Sequence, residues 1–104
     1  MKRIYIAGKI TGLDRQEYIR RFLHAENMLI EKFEIVNPIF LERLNLDDSL
    51  HRDAIMEICK VLISTCDAIY MLSNWESSPG ARMERDYAKS LGLEILYEQE
   101  DKYK

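Results

Sequence analysis

Cysteine and histidine are too few and too scattered in this chain to build a metal centre. Cys59 and Cys66 stand apart with no CxxC spacing, and His24 and His51 are remote from each other. Metal-ligand spacing is therefore missing, and no metal or cofactor is expected. Two thiols without a disulfide framework leave the cytoplasm as the default compartment. Four glycines and two prolines in 104 residues are too few for a fibrous repeat, and charges dispersed along the chain argue against disorder. Long apolar runs are lacking too. The stretch between Arg3 and Lys9 is too short for a signal-peptide core and nothing approaches a membrane span, so no membrane partner is expected. Concentrated positive charge is also missing. The net charge is -3, and before the tail the only local basic cluster is Arg15, Arg20 and Arg21. Duplex nucleic acid, which needs a basic face, is thereby excluded. A small anionic ligand such as a nucleotide stays open, because backbone N–H groups at a helix start hold phosphate with little side-chain help.

What is present is a 47% hydrophobic chain, enough for one small domain over residues 1–104 with one core. "RIYIAG", Arg3 to Gly8, is nearly continuous in apolar character and stops at a glycine, as a strand covered on both faces does. The period then changes to helical: Tyr18, Phe22, Ala25 and Leu29 form a stripe. Asp14 with Glu17 makes a capping-box start, predicting a helix from about Arg15 to Glu31. "FEIVNP" is a second strand ended by proline, leaving Asn37 at its carboxyl end. Ile39 to Asn45 reads as a short helical turn, and Leu46 to Asp53 as a loop or helix approach. Ala54 to Thr65 carries Ile55, Ile58, Cys59, Leu62 and Ile63 at helical spacing and is expected to be largely buried. "DAIYML" is a third strand and "LEILYE" a fourth, before a charged tail.

Strands alternating with helices predict an α/β fold: a small flavodoxin-like three-layer sandwich, its parallel four-stranded sheet ordered 2-1-3-4 with helices on both faces. Ligands of such sheets bind beyond the carboxyl ends of the strands, beside the point where strand order reverses. That rim collects Gly8 to Gly12, Asn37, and Ser73 to Gly80.

The helix within "NWESSPGARMERDYAKSLG" has an apolar side of Ala81, Tyr87, Ala88 and Leu91, and Glu84 falls near its middle. Such a carboxylate reads either as a marginal residue reaching solvent or an arginine, or as a nucleophile, base or ligand-hydroxyl acceptor. "ESSPG" supplies hydroxyls at Ser77 and Ser78, a glycine at Gly80 and a helix start; it reads as a phosphate site or as ordinary capping. Trp75, on the rim loop, is either a lid over a base or sugar or a residue packed on the sheet edge. Tyr5 lies in a covered strand, where its hydroxyl needs a partner, and Cys59 is most simply a small core residue.

With "YIAGKITGLD", "NP" and "CDAIYMLSNWESSPGARMERDYAKSLGLEILYE" in hand, the chain resembles nucleoside 2-deoxyribosyltransferase-like proteins, specifically the small bacterial and phage group DUF4406. In the wider family a glutamate on the helix after the third strand attacks C1′ of the deoxyribose and displaces the base. A second base or water then completes transfer or hydrolysis with net retention. Glu84 matches that nucleophile in a G-x-x-x-E pattern beginning at Gly80. Tyr5 matches a tyrosine that orients it, and Gly8 the glycine opening the sugar-side loop, with Lys9 next to it. Ser78 and Gly80 match where related hydrolases hold a 5′-phosphate. Related enzymes place an aspartate where this chain has Cys59. The resemblance implies a nucleoside or nucleotide substrate, catalytic residues Glu84 and Tyr5, binding residues Gly8, Lys9, Asn37, Trp75, Ser77, Ser78 and Gly80, and a homo-oligomer. Two other functions compatible with the same scaffold are a non-catalytic nucleotide-binding module and a structural or interaction protein.

Overall fold

The computed structural model describes residues 1–46 and 49–99. Part of the polar stretch before Asp53 (residues 47 and 48) and the charged tail from residue 100 lie outside the described residues. Along the chain run β1 (Arg3–Ala7), α1 (Arg15–Leu29), β2 (Glu34–Val36), a 3-10 helix (Pro38–Leu44), α2 (Arg52–Ser64), β3 (Ala68–Met71), a 3-10 turn (Trp75–Ser77), α3 (Pro79–Ser90) and β4 (Glu94–Tyr97). All strand pairs are parallel and the order is β2-β1-β3-β4, as expected.

Alternation along each strand sorts side chains into two layers. On one face Ile4, Ile6, Ala68, Tyr70 and Leu72 meet Phe22, Ala25 and Leu29 of α1. On the other, Tyr5, Ala7, Ile69 and Met71 meet Cys59 and Ile63 of α2 and Ala81 and Ala88 of α3. The central strands β1 and β3 are covered on both faces, which is why their sequences are apolar without a polar alternate. β4, at an edge, has exposed ends and half-buried middle residues.

Three local expectations are corrected. Asp14 occupies the N-cap of α1, but its side chain makes no capping bond. Only its carbonyl accepts, from the N–H groups of Glu17 and Tyr18, because the exposed carboxylate stays with solvent. α2 is amphipathic rather than largely buried: Cys59 and Ile63 are its buried residues and Val61 is 63% exposed. It shares its face of the sheet with α3, so only one stripe of each is covered. Leu91 leaves the apolar stripe, because α3 ends at Ser90 and Leu91 serves as its exposed C-cap.

At the carboxyl end of β1 the backbone passes close to Leu72. A Cβ at Gly8 would stand 2.5 Å from Leu72 Cδ1 and 2.9 Å from its Cβ and Cγ, and Leu72 is fully buried. Glycine is required there by packing within the protein itself. Gly8→Ala is expected to lower stability by about 1–3 kcal/mol through overpacking, measured by urea denaturation; an unchanged midpoint would show that Leu72 can move aside. Among the described residues no helix is long and apolar enough to cross a membrane.

Candidate active site

In a sheet ordered 2-1-3-4 the order in which strands are added reverses between β1 and β3, and the loops leaving those two parallel strands part to form a crevice. Here a side-chain bond ties the two loops: the Lys9 N–H donates to Asn74 Oδ1 at 3.1 Å. Beneath it opens a cavity of ≈ 1090 Å³. The end of β1 with Gly8 and Lys9, the 3-10 helix, the inner face of α2 and the start of α3 form its walls.

The helix start is set by local sequence. Ser78, extended and buried, accepts the Ala81 N–H on Oγ at 3.1 Å, and Pro79 supplies the first helical φ without a donor to satisfy. Ser77 Oγ donates to the Asn74 carbonyl at 3.1 Å. Gly80 faces open space: the nearest atom to a Cβ there would be Ser78 Oγ, 4.0 Å away. Unlike Gly8, it answers no packing demand of the protein. The helix rise then carries Glu84 one turn further, onto the face turned to the sheet.

Glu84 is 9% exposed. Tyr5, fully buried in β1, donates its hydroxyl to Glu84 Oε2 at 2.5 Å. Cys59, on the inward stripe of α2, lies in the same packed cluster as Tyr5 and lines the same cavity. Burial pushes the Glu84 carboxyl up to about 7, against the Tyr5 and Cys59 hydrogen bonds, which favour the ionised form. The two partners move the same way. Burial, then the Glu84 charge, raises the Tyr5 hydroxyl well above its ordinary range and the Cys59 thiol to about 12. Near neutrality the cluster therefore holds one titrating carboxyl and two neutral donors.

The structure brings Tyr5, Gly8, Lys9, Ser77, Ser78, Gly80 and Glu84 to one cavity. Asn37 and Trp75 stand outside it. Asn37 lies beside a smaller depression of ≈ 370 Å³, and its side chain is engaged in the fold: Oδ1 accepts the Ile39 N–H and Nδ2 donates to Glu26 Oε1, both at 3.1 Å. Trp75 packs on the sheet edge, its ring 5.0 Å from the Arg85 guanidinium and 5.8 Å from the Tyr97 ring.

Sequence reasoning gave no site role to Asn74, Arg15, Tyr18, Glu42 or Arg52. Glu42 accepts from the Tyr18 hydroxyl and pairs with Arg15 at 3.1 Å; burial, followed by the bond to Glu42, raises Tyr18 to about 12. Arg15 and Arg52 each open a helix, the end where the helix dipole disfavours a cation. That misfit was the available signal for them, and both line the cavity. With Lys9 they put three cationic residues in the cavity lining, which also holds Glu84 and the Glu42 that pairs with Arg15.

The family model described as a domain of unknown function, DUF4406, matches residues 2–97. No curated protein matches the chain.

Proposed function

We propose that this chain, which belongs to the DUF4406 family, acts at the N-glycosidic bond of a deoxyribonucleoside or its 5′-monophosphate, with Glu84 as nucleophile. The observation that carries this reading is a buried carboxylate held by the Tyr5 hydroxyl at 2.5 Å on the wall of a cavity. Ionised Glu84 attacks C1′, the bond to the base breaks, and the base leaves with the bonding electron pair and gains a proton. Water or a second base then displaces the glutamate and restores the configuration at C1′. The Tyr5 hydroxyl keeps the attacking oxygen charged and oriented, while Lys9 and Arg52 in the cavity lining favour an anionic substrate. A screen of deoxynucleosides and their 5′-monophosphates for free base tests the reading, with Glu84→Ala as the control. Base release by the wild type alone supports it, and a fully active Glu84→Ala protein sinks it.

Gly80 gives a finer test. Alanine fits there without a clash, and restricting the unfolded chain adds about 0.4–1 kcal/mol of stability. Gly80→Ala is expected to melt no lower than the wild type but to raise KM, because the added methyl occupies space beside the site. An unchanged KM would remove Gly80 from the substrate contacts.

One observation favours a binding-only module instead. Cys59 stands beside Glu84 where the resembled enzymes carry an aspartate, and a thiol lacks the two strong acceptor oxygens of a carboxylate. Calorimetry showing nucleotide binding, with no free base after long incubation, would select that alternative.

A further inference from the structure

The ladder between β1 and β3 ends with the Leu72 N–H donating to the Ala7 carbonyl at 2.8 Å. In a parallel pair every second residue of a strand bonds the same neighbour, so the next group of β1 turned towards β3 is the Lys9 N–H. By continuation of the ladder its partner would be the Leu72 carbonyl. That carbonyl turns into the loop after β3 instead, where it accepts the Trp75 N–H at 3.0 Å. The Lys9 N–H donates to Asn74 Oδ1 at 3.1 Å. A side chain thus supplies one more rung at the point where the two backbones separate. Because the donor is a main-chain N–H, only the oxygen of the amide can meet it, and this fixes which way the amide faces.

Both ends of the tie are held by other contacts. Gly8, next to Lys9, lies so close to fully buried Leu72 that a Cβ would clash with it. Behind the loop, Glu98 follows β4 and is 6% exposed; its Oε1 accepts the Ser73 N–H at 2.8 Å, and its own N–H donates to the Met71 carbonyl at 2.9 Å. Ahead of the tie, the Asn74 carbonyl accepts the Ser77 hydroxyl at 3.1 Å and the Trp75 carbonyl accepts the Ser78 N–H at 3.0 Å. Gly8 and Lys9 from the first loop, and Ser77, Ser78 and Gly80 from the second, line the cavity, whereas Asn74 stands outside the lining. Tyr5 and Glu84 meet each other directly, from β1 and α3.

We propose that Asn74 is a positioning residue for substrate binding: its side-chain carbonyl sets the spacing between the Gly8–Lys9 loop and the Ser77–Gly80 loop without touching the substrate. One half-buried hydrogen bond contributes modestly to folding. Its effect on binding is larger in kind, because a ligand that contacts both loops feels any change in the distance between them. The consequence for turnover rests on the reading of the cavity as an N-glycosidic site; the coupling of the two loops does not.

Asn74→Ala removes the acceptor and Asn74→Asp keeps one. An uncharged deoxynucleoside is the substrate for the comparison, so that the carboxylate of the second variant repels nothing. Asn74→Ala is expected to raise KM about two- to tenfold, the loss of one hydrogen bond. Its kcat should change little, because Tyr5 and Glu84 keep their own contact. Asn74→Asp is expected to bring KM back towards the wild-type value. A residue with a merely structural role would lower kcat with the folded fraction and leave KM where it was, and that result would overturn the proposal. Amide hydrogen exchange, followed by NMR, reads the tie with no substrate present. The amides of Lys9 and Ser78, one in each loop, should both exchange faster in Asn74→Ala and return to wild-type rates in Asn74→Asp. Unchanged protection of Lys9 in Asn74→Ala would overturn the proposal, and so would faster exchange at Lys9 alone, which would mean a local bond that does not couple the loops. If the wild type releases no base, the N-glycosidic reading fails, while the exchange rates at Lys9 and Ser78 still decide the role of Asn74.

Discussion

Glu84→Gln is expected to lose base release by at least about a thousandfold, the scale on which removal of a covalent nucleophile acts, and yet to gain stability above neutral pH. The two effects have one cause. A carboxyl raised from 4.5 to about 7 keeps its proton in the folded protein after the unfolded chain has released it. Between those two values the folded state binds more protons, so stability falls as pH rises, and the full cost is present above about pH 7. A shift of this size corresponds to roughly 3 kcal/mol. Glutamine has no such titration, keeps the shape, and still accepts the Tyr5 hydroxyl proton. Urea denaturation of both proteins at pH 5 and pH 8 measures the difference directly. The wild type should lose stability relative to Glu84→Gln across that interval. A constant difference would mean that Glu84 is ionised at ordinary carboxylate pH and its burial offset by stronger donors. The gain follows the general pattern in which a site's reactive group is maintained at the expense of stability.

Tyr5→Phe is expected to shift activity along the pH axis as well as lower it. Glu84 reacts when ionised, so the rate should rise with pH through a limb near 7. The Tyr5 bond favours the ionised form. Removing a charge-assisted hydrogen bond worth about 1.5–3 kcal/mol raises the limb by about one to two pH units. At pH 7 the ionised fraction would drop from about half to a tenth or less, and raising the pH would restore it in part. The profile of kcat/KM against pH from 5 to 9 is the measurement. A lower rate with the limb unmoved would assign Tyr5 to substrate contact and take the tuning of Glu84 away from it. Phenylalanine fills nearly the same volume in this fully buried position, so loss of fold does not confuse the outcome.

The elements and their parallel α/β arrangement were legible in the residues. Apolar strands without alternation required cover on both faces, and the change of period between Gly8 and Tyr18 required a helix; the order 2-1-3-4 was an expectation from such units that the structure bears out. Glu84 was legible for the same reason, since a charge in the middle of an apolar stripe violates a local rule. Gly80 was legible with it, though the reason that separates it from Gly8 was not. One glycine leaves open space and the other makes room for Leu72, a distinction that depends on which backbone passes nearby.

Tertiary structure alone decided the partners. Tyr5 and Glu84 are 79 positions apart, and Cys59 reads in sequence as one more small apolar residue of a helix. Only the packing of α2 and α3 side by side on one face of β1 places hydroxyl, thiol and carboxyl in a single cluster. Other contacts engage Asn37 with Glu26 of α1 and Trp75 with Arg85, and Arg15 and Arg52, from two helix starts, line one cavity. Periodicity records which face of an element is buried. Which groups meet there depends on how neighbouring elements are shared across a sheet, and with that the ionisation of the carboxylate on which the chemistry depends.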